Sequence, residues 1–520
     1  MSKVFIFGVD GGSYHLLHKF IKQGYLPNYE KLIHNGAFGK FISTIPPHTA
    51  PGWTSIATGV HPGTHGVYQF WKTQGEDYIG RYQGSMDWKT QPLWKLLNEY
   101  NLKTGIVNVP MTHPPVELDG FMISWPLSKT LNYSYPKTLL NEIAKEGGHF
   151  YPDIYIMYSG QEGYLKEACE ITRKRVKTIQ YLVKNKEWDL FMAVFPEIDR
   201  ICHFYWHFMD EDSPYYIENE LLKNAILKIY MEVDAAMGEI LQILPEDILF
   251  VSLSDHGFRV GTVNFNINTF LLKNGYLNLK ESSENKGEVN TLDDYMHSDW
   301  FHAKYEGKNY EVDWNSTKMF IAAPGSYGVN FNLNGRQKHG IVKAEEKQNL
   351  FLQFRDEILQ VKHPYKDVPL FKKVVMREHV YKGKSQKLAP DIILIPDDYS
   401  IMVSHNLSIK ELFSEPEQKG MHCMDGYILF YGNGVETGKE LKESEVVDFV
   451  PTILEYFGVD IPKYIEGKSI TPFTLDFKKQ IRIRSKGKKI ISTNSKHEER
   501  SYSDNEREEI EQRLKSLGYL

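Results

Sequence analysis

Cysteine is nearly absent: Cys169, Cys202 and Cys423 are the only three in 520 residues. Three thiols cannot make a disulfide framework, which excludes the small stapled secreted folds and fits a reducing, cytoplasmic compartment. Long apolar runs are also missing. No stretch approaches the roughly 20 residues that a membrane helix needs, and the apolar run in MSKVFIFGVDGG is too short for a secretion signal. Neither sign of charge is in excess, since 61 Lys plus Arg face 67 Asp plus Glu for a net charge of -6. The balance gives no global pull toward a nucleic-acid polymer or an anionic membrane, so partners have to be read locally. Internal repeats are lacking, and the composition turns polar and basic only after Phe477.

What is present is ample core material, 41% hydrophobic residues, in an order that alternates strand and helix. Lys3 to Val9 is β-branched and aromatic and stops at Asp10-Gly11-Gly12, the pattern of a buried strand that delivers a carboxylate at its carboxyl end. Residues 13–35 have helical spacing broken at Gly24 and Pro27, and further helices are expected at 92–100, 162–184, 219–244 and 445–457. Short apolar strands are expected at 103–109, 247–253, 391–396 and 426–431, and a buried strand plus acid-bearing loop at 189–199. Strands that each end in polar residues place those residues along one edge of a parallel sheet, where open α/β sheets put their sites. The expected fold is therefore α/β, a mostly parallel central sheet flanked by helices, with an inserted cap. The catalytic core is expected from 1–257 and 387–476, with 68–88 as a candidate lid segment and 258–386 as the cap, which includes a charged stretch at 281–294. Residues 477–520 read as a basic tail followed by a helix whose stripe, Ile510, Leu514 and Leu517, docks on the body.

Four separated stretches supply metal-type ligands: Asp10, Asp199 with His203, Asp255 with His256, and His422. Carboxylates mixed with imidazoles suit zinc, manganese or similar divalent ions at a site with open positions. Between the first two of them lies PPHTAPGWTSIATGVHPGTHGV, where Thr49 sits before a short glycine-closed helix expected over 54–60. A hydroxyl at a helix start either caps it or faces a patch of free N–H groups that suits an anion, and the local sequence leaves both readings open.

As an ordered set, FGVDGG, the Thr49 block, Asp199-x-x-x-His203, SDHG, His422 ahead of a glycine-containing strand, and VVDFVPTILEYFGVDIPKYIEGKSI resemble the alkaline phosphatase superfamily. More narrowly, they are similar to its type I phosphodiesterase and nucleotide pyrophosphatase branch. The resemblance implies two divalent metal ions, zinc first and manganese as the other candidate. Asp199, His203 and His422 would hold one, and Asp10, Asp255, His256 and the Thr49 hydroxyl the other. It further implies that Thr49 is the nucleophile of a phosphohydrolase that cleaves phosphodiester or pyrophosphate bonds of a small phosphate-ester or nucleotide-type substrate through a phosphothreonine. A phosphomonoesterase or phosphomutase on the same site is the nearest alternative, and a catalytically silent binding protein a more distant one.

One departure from the family pattern stands out. Where the nucleotide pyrophosphatases carry a phosphate-contacting asparagine shortly after His-Gly, this chain has Tyr68, Gln69 and Phe70. Gln69, or Asn108 from the loop after another strand, is the candidate replacement. Tyr68, Phe70 and Trp71 could stack on a nucleobase but serve a hydrophobic core equally well, and His65 and His113 read as ordinary hydrogen-bonded histidines.

Overall fold

The protein is described by a computed structural model covering residues 3–72, 75, 76, 78, 80–126, 130–146, 148–153, 162–282, 301–323, 325–407, 410–487, 509, 510 and 512–514. The expected charged stretch from 283 onward, the basic run from 488 and Leu517 lie outside these residues.

Strand Val4–Val9 is the centre of a 10-stranded sheet. Leu249–Leu253 and Leu190–Phe195 flank it, both parallel to it. Thr104–Val107 and then Gly120–Ile123 continue the parallel run beyond Leu190–Phe195. On the other side the order goes through Asp425–Gly432, antiparallel, to Ala37–Ile42. Side chains alternate across a strand. Phe5, Phe7 and Val9 accordingly enter one apolar layer, whereas Val4 and Ile6 enter the layer on the opposite face. Both faces are buried, which is why these strands are apolar without interruption. The first layer is closed by Glu162–Asn185, whose Leu165, Ala168, Ile171, Thr172, Val176 and Ile179 recur at helical spacing, and by Ala225–Leu241. The second is closed by Thr49–Thr58 and Phe449–Phe457. Each large apolar side chain so removed from water contributes about 1.5–3 kcal/mol.

Two expectations are redrawn. The helix in the Thr49 block starts at Thr49 itself rather than five residues later, with His48 as its N-cap. The chain also returns from the insertion later than expected. Ile392–Ile395 pairs with Lys373–Met376 and Gly328–Phe331, and Ile401–Ser404 pairs with Val263–Asn266, so both belong to small sheets of the insertion. After Gly420–Cys423, which pairs with Gly257–Val260 in a two-stranded ribbon, the chain rejoins the 10-stranded sheet at Asp425–Gly432. The segment at 68–88 is packed against the insertion: Phe70, Trp71 and Tyr82 share its apolar cluster, and Tyr78 stacks on Trp314. Ile510 and Leu514 are buried in the same cluster.

Candidate active site

Asp10 follows the central strand directly, and Gly11 after it has φ +70, a conformation that disfavours side chains. A Cβ on Gly11 would also lie 3.0 Å from the backbone of Asp199. The glycine therefore lets the turn that carries Asp10 touch the helix start that carries Asp199. Asp199 and His203 stand one turn apart on helix Glu197–Met209, which starts just beyond strand Leu190–Phe195. Spacing of four residues puts both on one face. Asp255 and His256 follow strand Leu249–Leu253, and His422 arrives on the neighbouring ribbon, opposite Phe258.

The structure brings the six carboxylate and imidazole candidates together, in two groups, with Thr49 beside the second. Asp199, His203 and His422 form one, Asp10, Asp255 and His256 the other, with ligand atoms inside each group within 4.8 Å of one another. The groups adjoin, because the His256 and His422 rings stack with centroids 3.7 Å apart and His256 Nε2 lies 3.8 Å from Asp199 Oδ1. Each histidine has its Nδ1 against a backbone carbonyl: His203 on Gly420 at 2.9 Å, His256 on Gly257 at 3.2 Å, His422 on Pro47 at 3.1 Å. Protons held there leave the Nε2 lone pairs facing inward, as metal-ligating histidines require.

The donor set fits divalent cations on a further observation. Asp199 Oδ1 and Asp255 Oδ2 are fully buried carboxylate oxygens without a hydrogen-bond partner, a costly state that a cation would relieve. The electrostatics agree. Burial, then the charges of Asp10 and Asp199, push the Asp255 carboxyl well above its usual range. Burial, then His422, pushes His256 well below the usual imidazole range. For Asp199 burial acts in the same direction as for Asp255 but is outweighed by His203 and Arg200, which hold the carboxyl low.

Thr49 is the first residue of its helix, and its hydroxyl donates to Asp10 Oδ1 at 3.3 Å and lies 3.2 Å from His256 Nε2. Capping falls to His48, whose Nδ1 accepts from Ala50 N at 3.2 Å. The hydroxyl is thus directed at the ligand groups, with the positive end of the helix dipole behind it.

Two clefts that share His48 and Tyr327 lie between the Thr49 block and the insertion, and one of them reaches the ligands His203 and His422. One, of about 420 Å³, is lined by His203, His422, His48, Gln418 and Tyr327; the other, of about 320 Å³, by His48, Tyr68, Gln69, Ser326 and Tyr381. Gln69 therefore reaches the cleft system. Asn108 is not among the lining residues: it is buried at φ 60, with its amide nitrogen 3.3 Å from Val194 O. Tyr68 is a wall residue whose hydroxyl donates to Ser385 O, while Phe70 and Trp71 are core. His48 and Tyr327 were not legible as site residues. His48 sits beside Thr49, so its position was the signal; Tyr327 comes from the insertion and had none. Burial, then His422, pushes His48 down to about 3, so it is a neutral imidazole here.

Cys202 and Cys423 are buried beside ligands, and burial raises both thiols, Cys423 to about 11, so neither supplies a thiolate. Ser55 and His65 form a second hydroxyl–imidazole pair at 3.0 Å. Val67 N donates to His65 Nδ1, which leaves the proton on Nε2, donating to Ser55. A histidine that already donates to the hydroxyl cannot accept its proton. Ser55→Ala is accordingly expected to keep phosphodiester turnover within about threefold of wild type in a steady-state assay, the cost being confined to one hydrogen bond's stability, about 1 kcal/mol.

A mostly parallel α/β sheet carrying paired carboxylate–imidazole groups at the carboxyl ends of its strands, beside a helix-borne hydroxyl, defines an alkaline phosphatase-like protein. The chain belongs to the type I phosphodiesterase / nucleotide pyrophosphatase family, whose model matches residues 4–426. It is similar to ectonucleotide pyrophosphatase/phosphodiesterase family member 1 of Mus musculus, 23% identical over 274 residues, and to that of Homo sapiens, 23% over 269 residues. Each match covers 49% of this chain and 24% of the relative, so the chain spans about a quarter of the length of the curated relatives it matches. Among solved structures it resembles murine ectonucleotide pyrophosphatase / phosphodiesterase 5, in an inactive threonine-to-alanine form in complex with AMP, with TM-score 0.54 at 12% identity over 89% of this chain and 96% of that one. The human counterpart gives TM-score 0.52 at 13% identity over the same shares. At such identities the likeness establishes the fold.

Proposed function

We propose that this protein is a metal-dependent hydrolase of phosphodiester or pyrophosphate bonds that works through a phosphothreonine on Thr49. The observation that carries this is the Thr49 hydroxyl within 3.3 Å of Asp10 and His256, at the rim of two buried ligand groups. Divalent cations held by those groups, zinc or manganese by donor type, would supply Lewis acidity that lowers the hydroxyl pKa and offsets phosphoryl charge. Thr49 Oγ1 attacks phosphorus, its proton directed at Asp10 Oδ1; the bond to the leaving oxygen opposite breaks, and water then cleaves the Oγ1–P bond. The helix start holds the attacked phosphate, and the neutral imidazole of His48 stands between both clefts.

The lining also favours diesters over the monoesterase and phosphomutase readings. No Lys, Arg, Asp or Glu is among the described residues of either cleft. A monoester dianion would find no further counter-charge there, whereas a diester monoanion with an uncharged organic group suits the Tyr68, Tyr327 and Tyr381 walls. Their hydroxyls are committed to the carbonyls of Ser385, Ile401 and Ile45, so the rings are what the clefts see. AMP in the murine neighbour supports a nucleotide-type occupant. A silent binding protein is disfavoured by the complete ligand set. The unpaired cysteines support a reducing, cytoplasmic compartment as part of the same proposal, although the matched relatives are ecto-enzymes by name.

The test is a rate comparison across mononucleotides, dinucleotides, nucleotide sugars and simple diesters with zinc- or manganese-loaded protein. Bis-p-nitrophenyl phosphate is expected to exceed p-nitrophenyl phosphate in kcat/KM by at least about tenfold, a difference of about 1.4 kcal/mol in transition-state binding. The reverse order would restore the monoesterase reading, and no turnover of either by protein holding two metals would remove the hydrolase.

A further inference from the structure

We propose that Arg200, clamped by Asp153 and Trp125, is a positioning residue that turns a single oxygen of Asp199 toward the metal position. The proposal rests on the two-metal reading and concerns how one of its ligands is held.

Four side chains form an unbroken chain behind the site. Trp125 Nε1–H donates to Asp153 Oδ2 at 2.9 Å; Arg200 Nη2 and Nε meet Asp153 Oδ2 and Oδ1 at 2.8 and 3.3 Å; Arg200 Nη1 donates to Asp199 Oδ2. Asp153, Arg200 and Asp199 are wholly buried and Trp125 is 1% exposed. Burying an ion pair costs desolvation that its Coulomb attraction barely repays, so such a pair is poor evidence for stability as such. Its geometry is what this one supplies. The guanidinium is planar, and two of its nitrogens are fixed side-on to Asp153, which dictates where the third points.

That third nitrogen occupies Asp199 Oδ2, leaving Oδ1 as the oxygen that faces His422 Nε2 at 3.2 Å and His203 Nε2 at 3.5 Å, with no hydrogen-bond partner of its own. Asp199 is thereby presented as a one-oxygen ligand in a fixed rotamer, part of its charge drawn toward Arg200. Without the clamp, both oxygens could swing onto the cation or away from it. The parts come from separate segments, Trp125 just beyond strand Gly120–Ile123 and Arg200 in helix Glu197–Met209, which follows strand Leu190–Phe195. A ligand orientation set by three segments is what an outer-shell support provides elsewhere, at 10–100-fold in metal affinity.

The experiment is calorimetric titration of the metal-free full chain with zinc, which reads affinity at each site independently of turnover. Wild type is expected to bind two zinc ions. Asp153→Asn is expected to weaken one of them by on the order of 10–100-fold and leave the other within about threefold. Arg200→Lys, which keeps the charge but not the fork, should weaken the same one. Trp125→Phe, which keeps an aromatic side chain but removes the donor to Asp153 together with part of the indole's volume, leaves the buried Asp153–Arg200 pair intact and should shift that site in the same direction by a smaller factor; it decides the matter if Asp153→Asn fails to fold. Unchanged affinities at both sites in Trp125→Phe and Asp153→Asn would overturn the proposal. So would a parallel loss at both sites with a lower unfolding midpoint of the metal-free protein, which marks a merely structural pair. Wild-type protein that takes up fewer than two zinc ions would overturn the two-metal reading itself, and this proposal with it.

Discussion

Thr49→Ala is expected to lower phosphodiester turnover by on the order of 10⁴-fold or more while leaving fold and metal content in place. The structure makes this a clean substitution. Thr49 is the first helical residue and not the cap, so the capping bond from Ala50 N to His48 survives. Alanine is the best helix former, and Asp10 and His256, the partners of the hydroxyl, remain in contact with each other at 3.5 Å. The stability cost should stay near that of one hydrogen bond, about 1 kcal/mol. What is lost is the oxygen that would form the proposed phosphothreonine. Thr49→Ser, which keeps an oxygen at the same point, should retain far more activity than Thr49→Ala. Acid quenching during turnover, followed by mass spectrometry of the Thr49 peptide, should show phosphate on the wild-type peptide and none on Thr49→Ala. A Thr49→Ala protein that retains turnover within about tenfold of wild type would take the nucleophile away from this residue.

The parts of this site that could be read in the sequence are those where chemistry follows a strand. Asp10, Asp199 and Asp255 each come shortly after an apolar run, and parallel pairing then brings the runs' carboxyl ends to one edge. Thr49 was visible as a hydroxyl at a helix start, but its direction was not, since cap and site residue differ only in what the oxygen meets. The end of the insertion was misplaced for a physical reason. Ile392–Ile395 and Asp425–Gly432 are both short apolar strands, and periodicity does not say which sheet a strand will join. Partner choice there depends on residues far away in the chain, such as Val374 and Val375 opposite Leu394 and Ile393. Asn108 illustrates the converse: it follows a strand of the right edge, yet its amide is tied to the backbone of the next strand and it is not among the lining residues of either described cleft. His48, Tyr327 and the Arg200 clamp depend on long-range meetings that no local spacing encodes.

Removal of divalent ions is expected to abolish turnover and, separately, to destabilise the protein in a manner that grows with pH. A site held at 100 times its dissociation constant adds about 2.7 kcal/mol to stability, so chelation at two such sites should remove about 5 kcal/mol, read as a lower midpoint in denaturant. The pH dependence follows from Asp255, which is fully buried beside the equally buried carboxylates of Asp10 and Asp199. Without a cation, burial and the charges of Asp10 and Asp199 raise Asp255 well above the usual carboxylate range. Its folded pKa then exceeds its unfolded one. Between the two, the native state keeps a proton that the unfolded state has released, so stability falls as pH rises through the folded value. His256 acts with the opposite sign: its pKa is depressed in the fold, so the unfolded state binds the extra proton below about pH 6.5 and stability is gained as pH rises to that point. The two contributions are separated by Asp255→Asn, which removes only the first. Metal-free wild type is expected to lose stability relative to metal-free Asp255→Asn as pH increases from 5 to 9, and zinc-loaded wild type should not show that loss, since a bound cation keeps the carboxylate ionised and compensated. Equal pH slopes for metal-free wild type and Asp255→Asn would mean that the carboxylates are not held together as the structure places them. A midpoint unmoved by chelation would mean that no cation bridges them.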